Sequence, residues 1–246
     1  MDTINLLEND LRSLRMPFIR ENYQDFAKHA VAKGLGHIDY LHMLINGEAH
    51  QRAERATERR LRSAAFPFLR SLETYDFAHP EKIDRMRVQN LFRLDFVRDH
   101  ANVVFIGTTG LGKTHLAIAL AHHACLEGGK VLYTSATAMV NDLTAAHAQH
   151  RLPDVLKRYV KPDLLLVDEL GYLPIDKLGA DLLFQLISGR YERGSMIITT
   201  NLVFKNWAQI FSGDATLTSA ALDRLLHHHE LIMIEGDSYR MKKPAK

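Results

Sequence analysis

The sequence predicts an α/β fold: a parallel sheet sandwiched by helices, preceded by a small all-helical N-terminal domain. Three observations carry that prediction. From residue 101 onward, short β-rich apolar runs alternate with amphipathic helical stretches, the pattern of a parallel sheet covered on both faces. Residues 1–65 place their apolar positions at spacings of three and four, and no segment there alternates as a strand does. A glycine-rich octapeptide joins the first apolar run to the helix after it.

Taken in order, Ile4, Leu7, Leu11 and Leu14 mark a first helix that stops near Pro17. Tyr23, Phe26 and Ala30 mark a second, ending at Gly34, since glycine terminates helices without steric cost. Asp39 is placed to cap a third, which runs through Tyr40, Leu44 and Ala49 into Arg60. Residues 66–100, with Pro67, Pro80 and several aromatics, break any period and read as a connector. Domain 101–246 then supplies strands at 103–106, 131–134, 164–167, 196–200 and 231–234. Helices are expected near 113–126, 137–150, 178–192 and 216–228.

The chain has 246 residues, 46% hydrophobic and 24% charged, enough for one full α/β domain and a smaller appendage. A net charge of +2 points to no partner, so any nucleic-acid surface must be a local patch. The single cysteine, Cys125, lies in a helical stretch and reads as a packing residue in a reducing compartment. No apolar run approaches the roughly 18 residues that span a membrane. The acidic N-terminus lacks an export signal, so a cytoplasmic protein is expected.

The octapeptide Gly107-Thr108-Thr109-Gly110-Leu111-Gly112-Lys113-Thr114 matches G-x-x-x-x-G-K-[ST], between a strand and a helix as that motif requires. Its glycines let the backbone approach phosphate oxygens, and successive N–H groups at a helix N-terminus hold the anion. Lys113 is expected to reach the β- and γ-phosphates of an NTP, and Thr114 to ligate Mg²⁺. The phosphate-binding set is taken to extend through His115.

The run 164–167 ends in Asp168-Glu169, at the carboxyl edge of a strand, where ligands sit in such sheets. Asp168 is expected to hold Mg²⁺ through its water shell. Glu169 is placed to polarise a water attacking the γ-phosphate. A guanine-reading N-K-x-D motif is not found, which makes ATP the better reading. Asn201 ends the strand Ser195-Met196-Ile197-Ile198-Thr199-Thr200. If that strand lies between the other two, Asn201 can hydrogen-bond the same water; asparagine is equally a common strand-ending turn residue.

With these motifs the chain resembles the IstB/DnaC family of AAA+ ATPases, closest to its IstB, transposition-helper branch. The likeness rests on GTTGLGKTHLAIALA at 107–121, LLLVDELGYLPID at 164–176, SMIITTN at 195–201 and ALDRLLHHHELIMIEGDSYR at 221–240. It covers nearly all of 101–240, and GYLP points to the transposition branch over replicative helicase loaders. The resemblance implies that Asn201 is the first sensor. It further implies that Arg224 is an arginine finger reaching a neighbouring subunit's ATP and that Arg240 is the second sensor. From the residues alone, Arg224 reads equally as a surface arginine. The chain's end leaves no room for a helical lid domain, an abbreviation the family shares.

Arg52, Arg55, Arg59 and Arg62 recur every three or four residues and share one helical face. That face reads as a phosphate track on DNA or, with Glu54 and Glu58 interrupting it, as a solvated helix surface. Lys157, Arg158, Lys161 and the basic tail Arg240, Lys242, Lys243 and Lys246 are weaker candidates. The triplet His227-His228-His229 is read as helical, and three consecutive helical side chains point about 100° apart, so they cannot converge on one metal ion.

Three functions are then in view. The first is an ATPase that assembles as a homo-oligomer on duplex DNA and recruits a transposase, with hydrolysis resetting the assembly. The second is a helicase loader that prefers single strands. The third, a small-molecule phosphotransferase, leaves Glu169 and Arg224 without a purpose.

Overall fold

A computed structural model of the chain describes residues 2–239. The chain divides into two compact units, Met1–Arg59 and Arg60–Lys246.

The first unit is helical: α1 (Thr3–Ser13), α2 (Pro17–Lys33) and most of α3 (His37–Ala64). Pro17 opens α2 at a position whose N–H needs no partner, and Gly34 closes it in the left-handed region at φ 62°. Asp39 does not cap α3 from outside. The helix starts two residues earlier, and Asp39 reaches back from its first turn to the Gly36 N–H. Leu11, Ile19 and Leu44 form a small core with Met16, Tyr23, Phe26 and Tyr40 around it. Glu48, 4% exposed, accepts the Phe18 and Ile19 N–H groups that α2 leaves without intrahelical acceptors.

The second unit carries a five-stranded parallel sheet: β1 (Asn102–Gly107), β2 (Val131–Ser135), β3 (Leu164–Leu170), β4 (Ser195–Thr200) and β5 (His229–Ile234). All five strands lie where the apolar runs predict them. Their order is β2-β3-β4-β1-β5, which puts β4 between the strand of the acidic pair and the strand of the phosphate loop. Strands covered on both faces need no polar alternation, which is why β1, β3 and β4 read as continuous apolar runs.

Around the sheet lie α4 (Arg85–Leu91), α5 (Asp95–Arg98), α6 (Lys113–Leu126), α7 (Ala136–Ala148), α8 (Leu152–Val160), α9 (Lys177–Arg190) and α10 (Ala215–Leu226). Two apolar clusters fill the space. One contains Met139, Leu143, Leu183, Leu186 and Trp207 with alternate residues of the strands. The other contains Leu116, Leu120, Cys125, Val88, Leu91 and Phe96. The stretch 66–100, expected as a connector, therefore belongs to the core of the second unit: Val88 is 0% exposed, and Ser195 Oγ donates to Phe96 O at 2.9 Å. Cys125 is fully buried, and desolvation pushes its thiol up to about 11. Among the described residues no helix is long and apolar enough to cross a membrane.

Candidate functional site

The octapeptide joins β1 to α6 as predicted. Gly110 and Gly112 hold φ of 86° and 82°, where a Cβ is strained. The loop is also crowded: a Cβ on Gly112 would stand 2.6 Å from the Tyr75 ring, and one on Gly110 2.0 Å from Ser238 Oγ. Lys113, 6% exposed, donates to Thr108 O at 2.8 Å, which keeps its ammonium at the loop. Tyr75 donates to Leu111 O at 3.0 Å, and the Tyr239 N–H donates to Gly110 O at 2.9 Å. The loop is thus braced from the segment before β1 and from the segment after β5.

The two acids sit on an irregularity of β3. Val167 pairs with Ile198 but Leu170 pairs with Thr200, so one extra residue is accommodated on β3 between those pairs. Such a bulge re-aims side chains. It separates the pair: Asp168 is 4% exposed, while Glu169 is exposed and held at φ 62°, uncommon for a residue with a Cβ.

Asp168 accepts three hydroxyl hydrogen bonds. Thr114 Oγ1 and Thr199 Oγ1 both donate to its Oδ1, the first at 2.9 Å, and Tyr133 donates to Oδ2 at 3.3 Å. Burial first, then the Asp168 charge, raises the Tyr133 pKa, so that phenol stays a donor. Thr199 also accepts the Glu169 N–H at 2.9 Å, fixing the strained backbone beside the buried carboxylate.

A cavity of about 590 Å³ opens over the loop, within the range of small-ligand sites. Gly110 to His115, Asp168 and Glu169 line it together with the aromatic residues Phe68, Tyr75, Tyr172 and Tyr239. Thr109 Oγ1 and the Tyr172 hydroxyl are hydrogen-bonded at 2.7 Å. The chemistry is that of an anion cradle with an aromatic flank for a base. Thr114 and Asp168 present the hard oxygen donors that Mg²⁺ takes.

The remaining candidates fall in different places. Asn201 is exposed, one residue beyond Thr200, which pairs with Ile106 of the phosphate-loop strand. His115 lines the cavity, but its Nε2 lies 3.0 Å from Ser71 O and 3.1 Å from Thr74 Oγ1, so its ring braces the segment before β1. Burial, followed by the charge of Arg70, lowers its pKa. Arg240 lies outside the described residues.

Arg224 is not beside its own phosphate loop. Its neighbour Leu225 accepts from the Asn102 side chain at 3.0 Å, at the amino end of β1, whereas the loop starts at Gly107. Five strand steps separate these ends by roughly 16 Å. The guanidinium stacks on Phe184 at 5.0 Å and donates to Ala220 O at 2.9 Å.

Arg55 and Arg59 are exposed in the first unit and Arg62 in the second. Arg52, also exposed, is committed locally: it donates to Glu48 at 3.0 Å and to the Leu14 and Arg15 carbonyls that end α1.

Thr199, Tyr133 and Tyr75 are site residues that sequence reasoning did not single out. The signal for Thr199 was a pair of threonines closing a fully buried strand, where polar side chains need partners. The two tyrosines carry no local signal.

The family model of IstB-like ATP binding proteins matches residues 9–246. The chain is 38% identical over 240 residues to a protein of insertion sequence IS21 in Pseudomonas aeruginosa named as ATP-binding, covering 98% of this chain and 90% of that one. It is 34% identical over 230 residues to its counterpart in insertion sequence IS5376 of Geobacillus stearothermophilus, covering 94% and 91%. The fold is similar to a crystal structure of the DnaC helicase loader, with a TM-score of 0.54 at 22% identity over 67% of this chain and 96% of that one. A P-loop α/β unit of the AAA+ kind following a helical region, with this extent of sequence similarity, makes the chain a member of the IstB-like ATP-binding family.

Proposed function

We propose that the protein hydrolyses ATP and assembles as an ATP-dependent homo-oligomer on duplex DNA, where it helps a transposase select and attack its target. The observation that carries the oligomer is the placement of Arg224, roughly 16 Å along the sheet from its own phosphate loop. An arginine there meets an ATP only when that ATP belongs to another copy of the chain. Transposition follows from the relatives, which are named as proteins of insertion sequences.

In this reading the backbone N–H groups of 107–114 and Lys113 bind the triphosphate. Thr114 and Asp168 would hold Mg²⁺, which would supply positive charge to stabilise the phosphoryl group under attack. Glu169, exposed beside the buried Asp168, accepts the proton of the attacking water, and Asn201 orients that water from the neighbouring strand. Arg224 of the adjacent copy stabilises charge on the departing phosphoryl group. Hydrolysis is then conditional on assembly. Arg240 adds a contact to the phosphates from the C-terminal side. Arg55, Arg59 and Arg62 are the arginines proposed to meet DNA phosphates, with Arg52 contributing less because its guanidinium already ends a helix.

Analytical ultracentrifugation with ATP and either long duplex, single-stranded or no DNA tests the proposal. Large assemblies that need both ATP and duplex are expected. A preference for single strands would move the function to helicase loading, and a monomer indifferent to DNA would overturn both.

A further inference from the structure

At the amino end of the sheet, far from the phosphate loop, α10 finishes at Leu226 and the chain turns through His227 and His228 into β5. The turn that closes α9 brings Glu192 to the same place. Among the described residues, Glu192, His227 and His228 each offer a ligand atom within 4.8 Å of the others. His227 Nδ1 stands 4.0 Å from Glu192 Oε1, and the two imidazole rings are 4.1 Å apart between centroids. His229 goes elsewhere: its Nδ1 lies 2.7 Å from Leu226 O and its ring meets Phe204. Three consecutive helical histidines cannot converge, but here the helix has ended, the third histidine leaves, and a carboxylate from another turn takes its place.

We infer that Glu192, His227 and His228 form a binding site for a divalent transition-metal ion of the zinc class. Two imidazole nitrogens and a carboxylate oxygen are a donor set that zinc takes with three protein ligands, leaving a fourth position for water. Metal–ligand bonds of about 2.0–2.1 Å at tetrahedral angles put ligand atoms about 3.3 Å apart. The three side chains are exposed, so rotation about their own bonds closes the remaining gap.

The backbones that carry them are already fixed. The Asn102 N–H donates to His228 O at 2.9 Å. Glu192 sits in the left-handed region at φ 56°, in a turn closed by hydrogen bonds from the Arg193 and Gly194 N–H groups to Arg190 O. That turn is anchored by the buried Arg190 side chain, which donates to Ser195 O at 2.7 Å and to Tyr159 O at 2.8 Å. The Tyr191 hydroxyl lies 3.0 Å from His227 Nδ1, a hydrogen bond that the ring keeps if it binds the ion through Nε2 and exchanges for the ion if it binds through Nδ1.

An ion here ties the end of α10 to the turn after α9. His227 and His228 follow Arg224 by three and four residues, so the ion sits about one helical turn from that arginine. The site does not depend on the proposed role of Arg224. If that role holds, the ion also fixes the helix that presents the finger.

The test is to titrate the untagged full chain, nucleotide-free and in excess Mg²⁺, with Co²⁺ and follow the visible ligand-field absorption, then to displace Co²⁺ with Zn²⁺. Saturation at one ion per chain is expected. Glu192→Gln and His228→Ala should each weaken binding tenfold or more, and His229→Ala should leave it unchanged. Circular dichroism of each variant keeps a folding defect distinguishable from a lost ligand. Absence of saturable binding would overturn the inference. So would unchanged affinity in a folded His227→Ala/His228→Ala chain, or an equal loss in His229→Ala.

Discussion

The two ends of the sheet are furnished in opposite ways. At the carboxyl end, Asp168 is buried among three hydroxyl donors, Lys113 is held against its own loop, and the loop is braced by Tyr75 and Tyr239. The loop, Lys113 and Asp168, the groups proposed to grip a triphosphate, thus meet in one chain. At the amino end, Arg224 lies on Phe184 and bonds a carbonyl of its own helix, with no phosphate-binding loop beside it. If Arg224 acts on a neighbour's ATP as proposed, the difference means that binding ATP and hydrolysing it have separate structural requirements. Under the proposed function a single chain suffices for the first, whereas the second would join the carboxyl end of one copy to the amino end of the next.

The largest expected effect attacks the self-sufficient end. Lys113→Ala removes the ammonium proposed to meet the β- and γ-phosphates and should lower ATP affinity by at least about a hundredfold, read by binding of a fluorescent ATP analogue. Undiminished affinity would remove the loop from the binding site. Arg224→Ala attacks the other end and should do the reverse. ATP affinity stays within about twofold, while DNA-stimulated turnover falls by about 10³, the lower range for an arginine finger. A loss of affinity like that of Lys113→Ala would mean the two ends are not separate after all.

Glu169→Gln sharpens the same contrast within one site. It keeps the side chain's shape and removes its basicity, so ATP should bind normally while phosphate release slows by about 10² or more. Assemblies on DNA should persist longer than in the native protein. Mixing this variant with Arg224→Ala should restore part of the turnover, because some interfaces then pair an intact Glu169 with an intact Arg224. Mixed chains no more active than either alone would count against action between copies.

Much of this arrangement was legible in the sequence because it is carried by local signals. The five strands contain short apolar runs bounded by turns, and the phosphate loop is a contiguous octapeptide. What escaped is short or long-range. Helices α4 and α5 span seven and four residues, too few turns for a 3.6-residue period to declare itself. Helix α8 carries Pro153 as its second residue; proline breaks helix interiors but is tolerated in the first turn. Tyr75 and Tyr133 reach the site only through tertiary contacts, 36 and 35 residues distant in sequence from their partners. The histidine run was read as helical; the end of α10 at Leu226 changed its geometry.

Thr199 offers the smallest effect and the finest cut. Its hydroxyl donates to Asp168 and accepts the Glu169 N–H, so one atom ties the buried acid to the backbone of the exposed one. Thr199→Val keeps the shape and suits a buried strand, but it leaves the Glu169 N–H without its acceptor and Asp168 one donor short. An unmet polar group of this kind costs about 1–3 kcal/mol. In a unit of this size that lowers Tm by roughly 2–4 °C per kcal/mol. If Thr199 only supports the fold, the variant loses stability and retains turnover per folded molecule. If it sets the strained conformation of Glu169, turnover at saturating ATP and Mg²⁺ falls by about tenfold, equivalent to 1.4 kcal/mol. ATP affinity then stays unchanged, because the loop's own contacts are untouched. The split between the two readouts decides whether the carboxyl end of the sheet is built only to bind or is also held ready to react.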